Sequence, residues 1–224
     1  MSAGLILLVI AGILVGFGVA QRVLDRLRLT DRQALFFVLA LLVGGLLPDI
    51  PLGVNLSVNA GGALVPIGLS VYLLIKADSA KEVIRALVAS VLTGAAIYFL
   101  GKLLPDEPEA AFMDFTYLYG LVGGVIAYLF GRSRRGAFVA GVLGAVIADV
   151  WSAAEIWMQG VSQPLRLGGA GAMDVIVISG IVAVLLAEFM GELLERMTRG
   201  RLLGLAARNG GRPSRDRAPH TKRR

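Results

Sequence analysis

The stretch from Ala137 to Met158 has the sequence AFVAGVLGAVIADVWSAAEIWM and decides the class of fold. It carries only two charged residues, Asp149 and Glu155. At a rise of about 1.5 Å per residue, a helix of this length crosses the ~30 Å hydrocarbon core of a bilayer. Lipid offers no hydrogen-bond partners to the backbone, so a segment in the core must be helical. The stretch therefore predicts a transmembrane helix with an acidic residue inside the membrane.

The rest of the chain has the same character. Hydrophobic residues make up 56% of its 224 residues and charged residues 17%, whereas soluble domains average about 25% charged. Apolar runs predict an all-α, polytopic membrane helical bundle with about seven spans. These are roughly Ala3–Ala20, Ala34–Leu47, Gly61–Ile75, Val83–Leu104, Phe115–Phe130, Ala137–Met158 and Leu167–Met190. We expect residues 1–195 to form this domain and residues 196–224 a basic, disordered tail.

The positions of Lys and Arg predict the direction of the spans. All but Lys102 and Arg166 of the 22 basic residues fall on one side of the seven-span arrangement. Basic residues concentrate in cytoplasmic loops. We therefore expect a multi-pass protein of the inner (cytoplasmic) membrane, with its N-terminus outside and its C-terminus in the cytoplasm.

Composition also limits the partners and cofactors. The chain has no cysteine and a single histidine, His220, so the sequence predicts no cofactor and no metal site. The basic tail is expected either to bind anionic lipids or to serve only as a topology anchor. Aromatic residues do not interleave with its basic ones, so nucleic acid is not an expected partner.

Two parts of the chain resemble one another. The sequence LLVGGLLPDI, residues 41–50, is similar to GVLGAVIADV, residues 141–150. Each is followed by a polar segment and a glycine pair, Gly61-Gly62 or Gly168-Gly169. Spans one to three and five to seven would then be parallel repeats joined by span four, a plan that transporters use. The alternative is that glycine-rich membrane helices look alike by composition.

Acidic residues inside the membrane are the candidate chemistry, because a charge there is costly and marks function by default. Asp149 lies roughly 18 Å above the cytoplasmic end of span six, and Asp174 roughly 10 Å below the outer surface if span seven begins near Leu167. The two acids are therefore expected at similar depth on neighbouring helices. Asp49, Asn55 and Asn59 follow span two on the same side, which predicts a polar cavity open to the outside.

Three roles are open for the acids. Two carboxyl groups at hydrogen-bond range cannot both ionise easily, so one holds a proton while the other activates a water, as in aspartyl proteases. The acids can instead bind an ion or small solute. They can also be structural, bonded to Ser152, Asn59 or backbone groups, with Asp174 capping span seven.

Two resemblances follow from these residues. The segment Gly168-Gly-Ala-Gly-Ala-Met-Asp174 with its following Ile/Val-Ser-Gly-Ile run resembles an uncharacterised prokaryotic membrane family, domain of unknown function 1614. Asn59-Ala-Gly-Gly-Ala-Leu-Val-Pro66 and Ala148-Asp149-Val150 also fit that family. More remotely, the pattern is similar to the GxGD intramembrane aspartyl proteases, the presenilin and signal-peptide-peptidase group.

The two resemblances imply different things about function. The first brings no activity. The second implies that Asp149 and Asp174 are catalytic, with Gly169 and Gly171 permitting close backbone approach and a membrane-embedded peptide as substrate. The alternative is a small-solute or ion transporter that uses Asp49, Asp149, Asn55 and Asn59. A non-catalytic membrane scaffold is the third possibility.

Overall fold

The computed structural model describes residues 29–104, 115–131 and 133–209. Within them the chain forms six α-helices and three short strands. In order these are α1 (Asp31–Leu46), β1 (Ile50–Pro51), β2 (Leu56–Val58), a π-helical turn (Ala60–Leu64) leading into α2 (Val65–Ile75), α3 (Ala80–Leu103), α4 (Phe115–Gly131), α5 (Arg134–Met158), β3 (Leu165–Leu167), a 3₁₀ turn (Gly171–Met173) and α6 (Val175–Asn209). The predicted span over residues 3–20 and the acidic loop over residues 105–114 lie outside the described residues.

Polar residues between the apolar runs begin the helices. Thr30 forms a capping box with Gln33 at the start of α1, in which each side chain accepts a hydrogen bond from the other residue's backbone N–H. The Ser79 hydroxyl accepts from the backbone N–H of Glu82 at 3.3 Å and caps α3. Ser133 caps α5 in the same way, accepting from Gly136 at 2.9 Å. These caps satisfy backbone donors that helix ends leave free.

Helix α5 is the centre of the bundle and packs against α2, α3 and α4. Its buried residues are mostly small: Gly136, Ala137, Ala140, Gly141, Gly144, Ala145, Ala148 and Ala153. A Cβ atom on Gly144 would lie 2.6 Å from Cβ of Thr93 on α3. A Cβ on Gly141 would lie 2.7 Å from the carbonyl oxygen of Ser179 on α6. The small residues therefore let the helix backbones approach closely, as in membrane bundles.

Large apolar side chains lie on the outside of the helices. They include Phe36, Leu46, Ile75, Ile84, Val91, Phe99, Leu103, Leu129, Trp151 and Leu185, each at least 45% exposed. Helices α3 and α5 are long and apolar enough to cross a membrane, and shorter apolar helices accompany them. A bundle with small residues inside and large apolar residues outside is the arrangement expected in lipid.

A small sheet interrupts the predicted all-α architecture. Strand β2 pairs antiparallel with β1, with Ile50 opposite Val58, and parallel with β3, with Ser57 opposite Arg166. Pro48 and Pro51 prevent helix α1 from continuing into this region. Ladder bonds then satisfy backbone groups that are no longer helical. The expectation of an all-α fold was therefore incomplete.

The last helix begins later and ends later than the sequence indicated. Span seven was predicted from Leu167, but Leu167 pairs with Val58 in the sheet and α6 begins at Val175. The compact unit of the chain ends at Glu188, and a second unit starts at Phe189. In that second unit the helix continues to Asn209, past the predicted start of the tail at residue 196. The remaining tail, residues 210–224, lies outside the described residues.

Candidate functional site

Three polar side chains converge where α1 ends and the sheet begins. One carboxyl oxygen of Asp49 accepts a hydrogen bond from the Asn59 amide at 3.0 Å. The other accepts from Nε and Nη2 of Arg166 at 2.9 and 2.6 Å. Both nitrogens donate to this single oxygen, and the resulting charge-assisted pair joins two segments that are 117 residues apart in sequence. Arg166 and Asn59 therefore fix the position of the Asp49 carboxyl, and the Arg166 side chain is the more exposed member of the ion pair.

Asn59 organises this part of the chain and is only 3% exposed. Its amide nitrogen donates to Asp49 and also to the carbonyl oxygen of Leu47 at 3.2 Å. Its amide oxygen accepts from the backbone N–H of Gly62 at 2.9 Å, which caps the π-helical turn. Its backbone N–H donates to Leu167 in β3. One buried side chain therefore connects the end of α1, the sheet and the start of α2.

The environment of Asp49 favours its charged form. The hydrogen bonds from Asn59 and then from Arg166 hold the pKa of the Asp49 carboxyl below its usual value, against a smaller opposing effect of desolvation. The Asp49 side chain is 14% exposed and that of Arg166 64%. The ion pair therefore carries no net charge, and its Arg166 side chain is largely exposed.

A cavity of about 180 Å³ lies beside this pair. Its lining residues are Asp149, Ser152, Ala153 and Ile156 from α5, and Gln163, Pro164, Leu165 and Arg166 from the segment that leads into β3. A volume of this size accommodates a hydrated ion or a small organic molecule. The sequence analysis expected a polar cavity near Asp49, Asn55 and Asn59. None of these three residues lines this cavity, whose walls are mainly apolar and include Asp149.

Asp149 is the carboxyl group that the described residues leave without a hydrogen-bond donor. Its side chain takes part in no hydrogen bond or ion pair with any other described residue, including Ser152 and Asn59, the partners expected for a structural acid. Asp149 is half-buried, and its carboxyl oxygens are not among the fully buried side-chain atoms that lack a partner in the described residues. Asp149 is thus a half-buried carboxyl that lines the cavity.

Asp174 has a different environment. It precedes α6 with extended backbone, and its side chain accepts from the N–H of Ile176 at 3.1 Å and of Ala170 at 3.3 Å. These bonds make Asp174 the N-cap of α6, one of the structural roles that the sequence analysis considered. The cavity beside Asp149 is not lined by Asp174.

The other predicted site residues lie around the edge of the cavity. The Asn55 amide donates to the Ser162 hydroxyl at 3.0 Å, which ties the β1–β2 turn to the segment before β3. Gly169 is exposed, and a Cβ there would lie 3.2 Å from Cβ of Arg166. Gly171 has a φ of +60° and lies against the backbone of Gly45. Asn55 and these two glycines shape the surrounding backbone and do not line the cavity.

The DUF1614 family, described as a protein of unknown function, matches residues 31–186, which is well over half of the chain. The chain belongs to the DUF1614 family. The resemblance to domain of unknown function 1614 is thereby confirmed, whereas the match does not extend to the GxGD proteases. No curated protein and no solved structure matches this DUF1614 chain. The matched region holds α1 to α5, the sheet and the first turns of α6, so it contains every residue of the site.

Sequence reasoning missed Arg166 as a member of the site. It treated this residue only as one of two basic residues on the outer side, whereas in this DUF1614 chain it pairs with Asp49 and lines the cavity. A lone Arg near membrane depth was the available signal, because such a residue needs an acidic partner. In the residues that the structure describes, no three His, Cys, Asp or Glu side chains come together as a metal site.

A second polar cluster was also missed. Glu155 of α5 accepts hydrogen bonds from the Tyr98 hydroxyl and, at 2.6 Å, from Lys102, both on α3. Tyr98 also stacks on Trp151 with ring centroids 5.2 Å apart. Amphipathic aromatic and charged side chains of this kind are typical of a membrane–water interface. The partners of Glu155 thus belong to α3, and Glu155 does not line the cavity.

Proposed function

We propose that this chain is a seven-span protein of the inner membrane, with its N-terminus outside and its tail in the cytoplasm. The inside-out packing supports this, with small residues between the helices and large apolar residues around them. The length of α5 agrees with it. From Arg135 to Glu155, α5 rises about 30 Å, which is the thickness of a hydrocarbon core. The basic tail is proposed to bind anionic lipids of the inner leaflet.

We further propose that the protein moves a small solute or an ion across the bilayer. The observation that carries this proposal is the cavity of about 180 Å³ whose wall includes the unpartnered carboxyl of Asp149. Asp149 lies about 21 Å above Arg135 along α5, so this carboxyl is within the membrane. Because Asp49 neutralises Arg166, Asp149 is the acidic group of the cavity with no basic partner among the described residues, which favours a cation or a proton-coupled solute.

The arrangement of the sheet supports the parallel repeat that the transporter proposal includes. Strands β2 and β3 hold corresponding places in the two similar halves, each before a glycine pair, and they run parallel beside one another. A Cβ on Gly62 would lie 2.8 Å from the carbonyl carbon of Gly168, so the two glycine pairs meet. Two repeats related by an axis along the membrane normal bring equivalent segments together in this way.

A flux assay with purified protein tests the transport proposal. The protein is reconstituted into liposomes that contain a pH-sensitive dye, and gradients of Na⁺, K⁺ or H⁺ are imposed. We expect flux of at least one of these ions and its loss in Asp149→Asn. Glu155→Gln is the matched control, because Glu155 lies on the same helix but outside the cavity. Absence of flux for all three ions contradicts the cation form of the proposal.

An intramembrane aspartyl protease is the second candidate function, and one observation favours it. Asp149 lines the cavity together with Leu165 and Arg166 of β3, and Asp174 accepts from the N–H of Ala170 just after β3, so both acids lie near the same strand. The cap bonds of Asp174 hold its carboxyl toward the backbone, and two residues separate it from Gly171, whereas the GxGD group has Gly directly before Asp. The transport proposal is therefore the better supported of the two.

Cleavage of a membrane-embedded reporter peptide separates the two candidates. A protease requires both acids, so Asp149→Asn and Asp174→Asn would each abolish cleavage, and the double variant would be no worse than either single variant. A transporter requires Asp149 and depends much less on Asp174, whose Asn variant retains the helix cap. Flux without cleavage excludes the protease, and cleavage without flux excludes the transporter.

A further inference from the structure

The hairpin formed by Ile50–Val58 has apolar side chains that nothing in the described residues covers. Val54 is fully exposed, Leu52 is 62% exposed and Ile50 is 43% exposed. The neighbouring Leu46 and Leu47, at the end of α1, are 88% and 53% exposed. A contiguous apolar surface of this kind marks a site of interaction.

The helices on either side of the hairpin are too short to cross a bilayer alone. Along α1 the rise from Arg32 to Leu46 is about 21 Å, and from Lys76 back to Ala60 it is about 23 Å. Both distances fall short of the ~30 Å core, and any tilt of the helices would shorten them further. Both helices therefore end below the outer surface of the membrane. The hairpin that joins them has to cover the remaining distance to that surface.

The chemistry of the hairpin is compatible with lipid. Between Arg32 and Lys76 the only charged residue is Asp49, and Asn59 and Arg166 bind its carboxyl. Part of the turn backbone is bonded internally, since the N–H groups of Leu52 and Gly53 both donate to the carbonyl oxygen of Leu56. Each hydrogen bond made within the hairpin removes a polar backbone group that lipid could not satisfy.

Features of the strands support the same conclusion. Pro51 in the edge strand β1 has no N–H, which removes one donor from the side that faces away from the sheet. The carbonyl oxygen of Asn55 accepts from the N–H of Leu165, which ties the hairpin to β3 on its inner side. The hairpin thus has a bonded inner side and an apolar outer side.

We propose that the Ile50–Val58 hairpin lies in the outer leaflet and packs its apolar side chains, Ile50 and Leu52 in particular, against lipid acyl chains. The lipid surface is continuous with the exposed apolar face of α1, which includes Phe36, Leu39 and Val43. This inference rests on the membrane placement proposed above. It adds that a β-hairpin, in addition to helices, contacts the lipid.

Single-cysteine variants test the proposal directly, because the chain has no cysteine of its own. Ile50→Cys and Leu52→Cys are spin-labelled in phosphatidylcholine liposomes, and collisions with oxygen and with a water-soluble nickel chelate are compared. Val91→Cys on the outer face of α3 is the lipid reference, and Gln159→Cys in the exposed turn after α5 is the water reference. We expect both hairpin labels to have oxygen-to-nickel ratios several-fold above that of Gln159→Cys and near that of Val91→Cys.

Each other outcome has a definite meaning. Hairpin labels that behave like Gln159→Cys would place the hairpin in water and overturn the proposal. Labels that meet neither reagent would show that protein covers the hairpin, for example a second copy of the chain, and would also overturn it. A water-like Val91→Cys would instead contradict the membrane placement itself, so the two failures are distinguishable. Unchanged gel filtration and circular dichroism establish that each variant is folded.

Discussion

At the scale of single residues, Asp149 and Asp174 differ in the hydrogen bonds that their carboxyl groups make. Asp174 caps α6, so Asp174→Ala should lower stability by about 1 kcal/mol, whereas Asp174→Asn retains an oxygen acceptor and should cost much less. Asp149 has no hydrogen-bond donor among the described residues, so Asp149→Asn should leave stability unchanged or raise it, because a neutral amide is less costly to bury. Thermal unfolding of the three variants in detergent measures this. Equal losses for Asp149→Asn and Asp174→Ala would indicate two structural acids.

The Asp49–Arg166 pair predicts a pH dependence. Because the pKa of Asp49 is below its ordinary value in the folded protein, its ionisation stabilises the fold at neutral pH. That contribution is lost as the pH falls through the lowered pKa. Arg166→Gln should reduce the melting temperature at pH 7, and the difference from the parent protein should close below about pH 4. Lys102→Gln is the control, since it removes another basic residue of the outer side without contacting Asp49.

A difference between parent and Arg166→Gln that stays constant from neutral to acidic pH would contradict this assignment. It would mean that the Arg166 side chain stabilises the protein through packing of its aliphatic part. A change confined to Lys102→Gln would instead locate the acid-sensitive contact at Glu155 and Tyr98.

At the scale of elements, the junction between the π-helical turn and the residues after β3 depends on glycine. A Cβ on Gly62 would overlap the backbone of Gly168, which itself has a φ of +70°. Gly62→Ala should therefore separate the two elements and cost about 1–3 kcal/mol. Gly68→Ala on α2 is the matched control, because nothing lies within 4 Å of a Cβ there. It should be neutral or stabilise the helix by up to about 1 kcal/mol.

Thermal melting of the two variants tests whether the close approach at this junction is required for the fold. Loss of stability in Gly62→Ala with a normal Gly68→Ala is the expected result. If both variants melt like the parent, the turn and β3 have room to move apart, and the close approach is not required for the fold.

At the scale of the whole molecule, the distribution of charge predicts the topology. A reporter fused after Arg224 should be cytoplasmic, and one inserted in the loop over residues 106–114 should be outside, because nearly all Lys and Arg residues lie on the side of the tail. Paired reporters that are active on opposite sides of the membrane, such as alkaline phosphatase and a fluorescent protein, measure both positions. A tail found outside, or both positions found on one side, would contradict the seven-span arrangement.

Much of this protein follows from its sequence alone. Apolar runs of sufficient length predict helices wherever they occur, so the predicted runs between residues 34 and 166 coincide with α1 to α5 within a few residues. The depth of Asp149 follows from counting residues along one helix. The membership of the DUF1614 family also follows from local motifs. These properties depend on residues close together in the chain, which hydrophobicity and helix geometry describe well.

Only the tertiary structure decided which distant residues meet. Leu167 belongs to a strand and not to span seven because Val58, far away in sequence, supplies its neighbour in the sheet. Arg166 joins the site because Asp49 lies opposite it, 117 residues earlier. Asp174 caps α6 because β3 and the 3₁₀ turn occupy the residues before it, so that α6 begins only at Val175. Sequence patterns record the preference of each segment, whereas pairing between segments depends on the packing of the whole bundle, which no single segment encodes.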